Sequence, residues 1–412
     1  MYNLINDLYQ KQRNLVSIDY DESLEYISKI LPLKIHKIPS GTKCWTWEVP
    51  LAWEVKEAFI ENNGGKIIDV KDHPLHLASY STPIDKIISK EELMKHLSSN
   101  KERPNAIPFD YKYYQNDWGF CVQFNKLKDF TEKNYHVVIN SEFKEGELKI
   151  GELFVKGELK ETIVLVAHLC HPAMANDDLS GVSVLVDIGK NLLEKNNLKY
   201  SYRILFLPET IGSIAYLSQN EELISDMKFG LFLEMLGNDN FHSLQFSRQK
   251  NTEIDKIAEN VIKHNQKEFK TGDFREIISN DEMVFNGPGV NIPMISISRW
   301  PYPEYHTSDD NISIIKKENL EESKKLVLKI LEALENNYTP IRKFKGPPHL
   351  SKYGLWVDWR DDLELNKMLE KIFLEFEGDN SIVEIAEKLN LDFFVLLDYV
   401  NKFLQAKLVE KK

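Results

Sequence analysis

The chain has 412 residues, 42% hydrophobic and 28% charged, with a net charge of -12. This is the composition of an ordinary globular protein, long enough to predict two or three domains. The excess of acid excludes the phosphate attraction behind non-specific nucleic-acid binding.

Residues 2 to 31 carry apolar positions at helical spacing, which Pro32 closes. Residues 33 to 53 read as extended, with a turn at Pro39-Ser40-Gly41, and 54 to 62 as a short helix ended by Asn63-Gly64-Gly65. Strands are expected at 66 to 70 and 75 to 80. Ser89 with Glu92 makes a capping-box pattern before a further helix. The stretch 60 to 135 is thus expected to be a small α+β unit inserted between residues 1–59 and 136–340.

From 136 the pattern becomes α/β. Segments 136–140, 148–156 and 162–167 are β-rich, and Ile163 to Ala167 is apolar throughout, as in a strand buried on both faces. A helix at 180–195, a strand at 202–207, a helix at 211–224, a strand at 229–233, a helix at 252–266, a strand at 293–298 and a helix at 317–336 follow. This alternation predicts a mixed sheet with helices on both faces. Pro340, Gly346, Pro347 and Pro348 mark a linker, and three short helices with an apolar end suggest a winged-helix domain over 348–412.

Three thiols, Cys44, Cys121 and Cys170, make no disulfide framework. The mixed-charge first twenty residues lack a signal-peptide pattern, and no apolar run reaches membrane length. A cytoplasmic protein is expected.

Metal ligands favour strand ends, where a rigid sheet holds the loops. His168, Glu209 and Glu234 follow expected strands, and His306 lies in Tyr305-His306-Thr307-Ser308 after another. Asp177 opens a helix in Ala175-Asn176-Asp177-Asp178-Leu179-Ser180-Gly181, where the positive helix end suits a carboxylate. Imidazole mixed with carboxylate suits zinc, as one ion or as two sharing a bridging carboxylate. One carboxylate could instead stay free to take a proton from the attacking water.

Ala167-His168, Ala175 to Gly181, Phe232-Leu233-Glu234-Met235-Leu236-Gly237 and Tyr305-His306-Thr307-Ser308-Asp309-Asp310 resemble, in order and spacing, the metal motifs of zinc aminopeptidases related to aminopeptidase Y and bacterial leucyl aminopeptidase. The whole chain is closer still to an aminopeptidase-like family with an inserted small domain and a C-terminal winged helix, often labelled as polysaccharide-biosynthesis proteins. The resemblance implies that His168 and Glu234 hold one zinc, that His306 holds a second, and that Asp177 bridges them. It departs in two places. Cys170, followed by His171, stands where the peptidases place an aspartate that orients the first imidazole. Glu209 stands alone where they have paired glutamates, so it is assigned as base or as extra ligand.

Arg299 is a candidate for binding a substrate carboxylate or phosphate, with a structural ion pair as the alternative. Tyr305 and Asp281 are candidates for the cleft wall. Asp310 is expected to fix the His306 loop and Asp178 to start a helix. Trp45, Trp47, Trp53, Trp118, Tyr113 and Tyr114 are expected to pack in the core or to line the cleft. Residues 356 to 412 hold 13 Asp/Glu against 8 Lys/Arg. That balance disfavours DNA and points to a protein partner or a second copy for the C-terminal unit.

The expected function is that of a zinc-dependent hydrolase of a peptide or small amide substrate, an aminopeptidase by resemblance. Its alternatives are an N-acyl amidohydrolase acting on an amino sugar or polysaccharide precursor, and a non-catalytic scaffold that keeps the fold.

Overall fold

The computed structural model describes residues 1–412. Its centre is an eight-stranded mixed sheet. In spatial order the strands are Lys34–Pro39, Glu147–Val155, Ser201–Leu207, Thr162–His168, Met227–Leu233, Met294–Ser298, His242–Gln245 and Phe269–Gly272. The four from Ser201–Leu207 to Met294–Ser298 run parallel. Every residue of Thr162–His168 and Ser201–Leu207 is buried, which explains the apolar runs at 163–167 and 204–207. Helices Leu179–Glu194, Glu253–Asn265 and Lys317–Asn336 each turn one apolar face into the core.

A second, antiparallel sheet stands apart, in the order Gly65–Asp69, Ala52–Asn62, Asn134–Lys144, Ile84–Ser89. Its pairing crosses the expected borders at 59 and 136. Residues 54 to 62, expected as a helix, form the long strand Ala52–Asn62. Val55, Ala58 and Phe59 do fit a helical stripe. Yet Ala58 and Ile60 are the fully buried pair, at the spacing of two that a strand requires. The partner that decides between the two lies some eighty positions downstream, beyond any local window. The expected strand at 75 to 80 is instead a 3-10 turn, Pro74–His76, followed by isolated bridges. The opening helical stretch is two helices, Tyr2–Leu8 and Ile18–Ser28.

Residues beyond the Pro/Gly stretch form helices Leu363–Leu374, Ile382–Leu389 and Phe393–Gln405, and Val409–Lys411 pairs antiparallel with Pro340–Arg342. The length argued for separate cores. One continuous apolar cluster nonetheless runs from Leu4 to Val409. Asn260 clamps the C-terminal unit to the main body, donating to the Leu391 carbonyl at 3.0 Å and accepting from the Phe393 amide at 2.9 Å. No helix is long and apolar enough to cross a membrane.

Both partners of Asn260 are buried, so Asn260→Ala should cost about 1–3 kcal/mol. Thermal unfolding should show the loss, and hydrogen exchange should show the Phe393 amide deprotected.

Candidate metal centre and cleft

The carboxyl ends of the parallel strands gather the chemistry at one sheet edge, as the strand-end argument requires. His168 closes Thr162–His168. Glu234 lies two positions past the register pair Val166–Phe232 and so stands beside His168. The loop between His168 and helix Leu179–Glu194 supplies Cys170, His171 and Asp177.

The loop residues that resemble a motif have separate structural tasks. Three consecutive amides after Glu234 are each received by a side chain of this loop or of the helix start that follows it. Met235 donates to Asp178 at 2.9 Å, Leu236 to Ser180 at 2.7 Å and Gly237 to Asn176 at 2.9 Å. Asp178 also caps its own helix, accepting from Gly181 at 3.1 Å. A Cβ on Gly181 would lie 2.5 Å from the Leu233 carbonyl oxygen, so only glycine lets the helix start this close to the strand.

Asp310 anchors the same loop from the other side. Its carboxylate accepts from the amides of Ala175, Asn176 and Asp177 at 3.2, 2.6 and 3.1 Å, and from Tyr302 Oη at 2.6 Å. It therefore holds the Asp177 segment directly, where it was expected to fix the His306 loop. Burial raises its pKa to about 7.

Asp177 is the focus. Its Oδ1 lies 3.1 Å from His168 Nε2, and its Oδ2 lies 3.3 Å from His171 Nδ1 and 3.1 Å from His306 Nε2. These approaches lack hydrogen-bond alignment. The three ring nitrogens and Asp177 Oδ2 are buried polar atoms without a hydrogen-bond partner. Zinc held by nitrogen and oxygen at roughly 2.0–2.2 Å in a tetrahedron separates its ligand atoms by about 3.3–3.5 Å. The donor set and its spacing fit such an ion. His171, Asp177 and His306 form one tight group of ligand atoms, and His168, Cys170 and His171 form another.

Cys170 stands where the resemblance leads one to expect an aspartate, and its Sγ lies 3.8 Å from His168 Nδ1. The thiol is buried, its pKa well above the ordinary value through desolvation and then Glu209. A neutral sulfur thus supports the first imidazole. It also accepts from the Glu209 amide at 3.1 Å.

Glu209 is presented by a tight turn. Thr210 has φ 60° and ψ -67°, and the Ile211 amide reaches back to the Glu209 carbonyl at 2.6 Å. This is the rare γ-turn, strained for a β-branched residue. Asp281 braces it, accepting from the Thr210 amide at 2.9 Å and from Ser213 Oγ at 2.5 Å. The side chain of Glu209 meets His171 Nε2 at 3.0 Å.

Burial lowers the pKa of His171, but Asp177 and Glu209 outweigh it and raise the value to about 10. Asp177 is held well below its usual range despite burial, with His171 the strongest of three imidazole influences. Glu234 is pushed well up by burial, then by Glu282 and Asp177; its oxygens accept from Ser296 at 3.0 Å and Asn280 at 3.1 Å.

The outer sheet unit closes this edge. The Phe109 amide donates to the His306 carbonyl at 2.8 Å and the Ser308 amide to the Ile107 carbonyl at 2.8 Å. The Phe109 ring meets those of His171 and His306 edge-on at 5.2 Å. Tyr305 stacks on His306 at 3.8 Å. A cleft of about 400 Å³ opens here, walled by Trp47, Tyr111, Tyr113, Tyr114, Tyr305 and Glu209. Trp53 is instead in the core, stacked on Tyr80 at 5.7 Å.

Residues 2–337 match the family described as "Domain of unknown function (DUF4910)". The chain belongs to this family. A Clostridium acetobutylicum relative, provisionally named a polysaccharide biosynthesis protein with an aminopeptidase-like domain, is 37% identical over 95% of this chain and 92% of its own. The crystal structure of a provisionally named peptidase from Clostridium acetobutylicum superposes with a TM-score of 0.89 at 35% identity, over 100% of this chain and 96% of that one. A zinc aminopeptidase from Bacillus subtilis shares the fold at a TM-score of 0.62 and 14% identity, over 81% of this chain and 94% of that one.

Among the sequence candidates, His168, Asp177, His306 and Glu209 come together, Glu234 lies beside His168, and Tyr305 lines the cleft. Asp281 braces the Glu209 turn. Arg299 is committed elsewhere, to Glu322, the Asn240 carbonyl and Ser323. His171 is more central than its place in the sequence indicated. Arg13 gave no signal at all, lying in a stretch read as plain helix. Fully buried, it donates to the carbonyls of Leu8, Leu169 and Met174 and ties the first helix to the metal loop.

Arg13→Met keeps the bulk and strands those carbonyls. At about 1–3 kcal/mol for each unsatisfied group, the loss should exceed about 3 kcal/mol in denaturant unfolding. A second outcome follows from the charge on His171. With its pKa near 10, His171 carries a proton at neutral pH when no cation is present. Zinc must displace that proton, so calorimetry in buffers of different ionisation enthalpy should show proton release near pH 7, and affinity should fall as pH falls.

Proposed function

We propose that this chain is a zinc-dependent hydrolase of peptide or amide bonds, of the aminopeptidase type. The observation that carries the reading is the approach of three imidazole nitrogens to one buried carboxylate without hydrogen-bond alignment. His168 would hold an ion on the Oδ1 side of Asp177 with Glu234, and His171 and His306 would hold an ion on the Oδ2 side. Bound zinc polarises a scissile carbonyl and eases deprotonation of water.

The remaining work falls to the chain's own groups. Glu209 is the carboxylate that lines the cleft, and it stays ionised because His171 outweighs its burial. It would take the proton from the attacking water and pass it to the leaving nitrogen. The γ-turn and Asp281 fix its direction. Tyr305 fixes the plane of the His306 ring and, with Phe109, screens the site from bulk water. The fold shared with zinc aminopeptidases supports this reading. A second reading, an N-acyl amidohydrolase on an amino sugar, is favoured by the aromatic cleft wall and by the provisional name of the Clostridium relative. Aminoacyl and N-acyl substrates assayed side by side distinguish the two.

His306→Ala should abolish metal-dependent hydrolysis. It should weaken zinc binding by at least the roughly 10–100-fold that loss of a supporting residue brings. Glu209→Gln should lower kcat by about 10²–10⁴, the usual contribution of a general base, while metal analysis shows zinc retained. Full activity in either variant would end the proposal.

A further inference from the structure

Next to the metal cleft lies a second groove of about 620 Å³ that shares Tyr114 with it. It is lined by Tyr80 and Phe143, by residues 48 to 51 and by Lys112, Tyr114 and Gln115. Each cavity alone is of a size that holds a small organic ligand, so the two together exceed what a single amino acid or sugar fills.

The junction is unusually apolar for a surface. Trp47 is 39% exposed, Tyr111 46% and Tyr114 56%, and Leu51 and Trp45 lie exposed near them in sequence. Contiguous exposed aromatic surface of this kind marks a binding site. Trp47 and Tyr114 meet edge to face at 5.9 Å, and Tyr111 stacks on Tyr113 at 4.7 Å, so the rings hold one another in place. Around them stand Glu48, Gln115 and Glu145, which supply hydrogen-bonding edges.

The backbone of residues 48 to 51 leaves little on that side of the groove for one common occupant. An extended peptide binds a groove by adding a strand, which needs free main-chain groups. Here the carbonyls of residues 48 to 51 are all taken. Glu48 accepts from Tyr114 Oη at 2.8 Å, Val49 from the Gly41 amide at 2.9 Å, Pro50 from Ser40 Oγ at 2.8 Å and Leu51 from Tyr80 Oη at 3.0 Å. The Val49 amide is spent on Thr42 at 3.0 Å, and Pro50 has no N–H. What remains is flat aromatic surface with polar edges. A pyranose matches it, with C–H groups on its faces and hydroxyls around its rim.

We propose that the groove is a subsite for an oligosaccharide, laid across Trp47 and Tyr114 so that an amide substituent on its end ring reaches Glu209 and His171. This rests on the amide-hydrolase reading for the fate of the amide, but the groove binds the sugar chain independently of turnover.

The test is titration calorimetry on full-length, zinc-loaded Glu209→Gln protein. The probes are β-1,4-linked N-acetylglucosamine oligomers of one to six sugars, with alanine peptides of one to six residues in parallel. The Kd for the sugars should fall by about tenfold or more from one to four rings, and the peptides should show no such gain. Trp47→Ala and Tyr114→Ala should each flatten the length dependence, and Trp47→Phe should restore part of it. Sugar binding that is absent or independent of length overturns the proposal, as does tightening with peptide length. If length-dependent binding persists while the wild-type protein hydrolyses no amide, the groove stands and the hydrolase reading falls. If aminoacyl amides are hydrolysed without sugar binding, only the groove proposal falls.

Discussion

Six carboxyl groups, those of Asp177, Asp178, Glu234, Asp281, Glu282 and Asp310, are buried around one edge of the central sheet. Left alone, they would repel one another in a medium that screens poorly. Much of the surrounding architecture answers that repulsion. Backbone amides of residues 175 to 177 surround Asp310, and those of Gly181 and Met235 surround Asp178. Asn280 and Ser296 serve Glu234, and Thr210 and Ser213 serve Asp281. Only Asp177 is left facing three imidazole nitrogens with no hydrogen bond between them. Asp178, Glu234 and Asp281 answer burial by a pKa pushed well up, whereas Asp177 is held well down by its imidazoles and keeps its charge at the point where a cation fits.

The parts of this arrangement that were legible in the sequence share a physical cause. The buried parallel strands carry apolar runs such as 163–167 and 204–207, and a polar residue that ends such a run lies at the sheet edge. His168 and Glu234 could be placed on that ground alone. The illegible parts depend on contacts between distant segments. Whether residues 52 to 62 are helix or strand is decided by the partner at 134 to 144. Arg299 and Asp281 are both polar residues near a strand or loop end, and nothing local says that one meets Glu322 while the other braces the Glu209 turn. The substitution of Cys170 for an expected aspartate looked like a loss of support for His168. The structure has the sulfur in that supporting place, and gives it the Glu209 amide as well.

The two sheets are joined by more than proximity. Residues 103 to 111, from the outer unit, pair with the loop that carries His306. Arg103 meets Asp309, and Pro108 bridges Thr307. Phe109 touches two of the three imidazoles. The outer unit thus serves both the candidate metal centre, by holding the His306 loop, and the cleft, by supplying Tyr111, Tyr113 and Tyr114 to its wall.

That joint has a consequence for how the protein is made. Domains tend to fold in the order in which they leave the ribosome. Residues 103 to 111 emerge early, but the loop they secure is among the later parts of the chain to appear. His168, His171 and Asp177 are in place well before His306 can join them. A growing chain therefore carries an incomplete candidate metal site from residue 177 until residue 306 has been added. The candidate site is complete only once the late loop has docked against the early one.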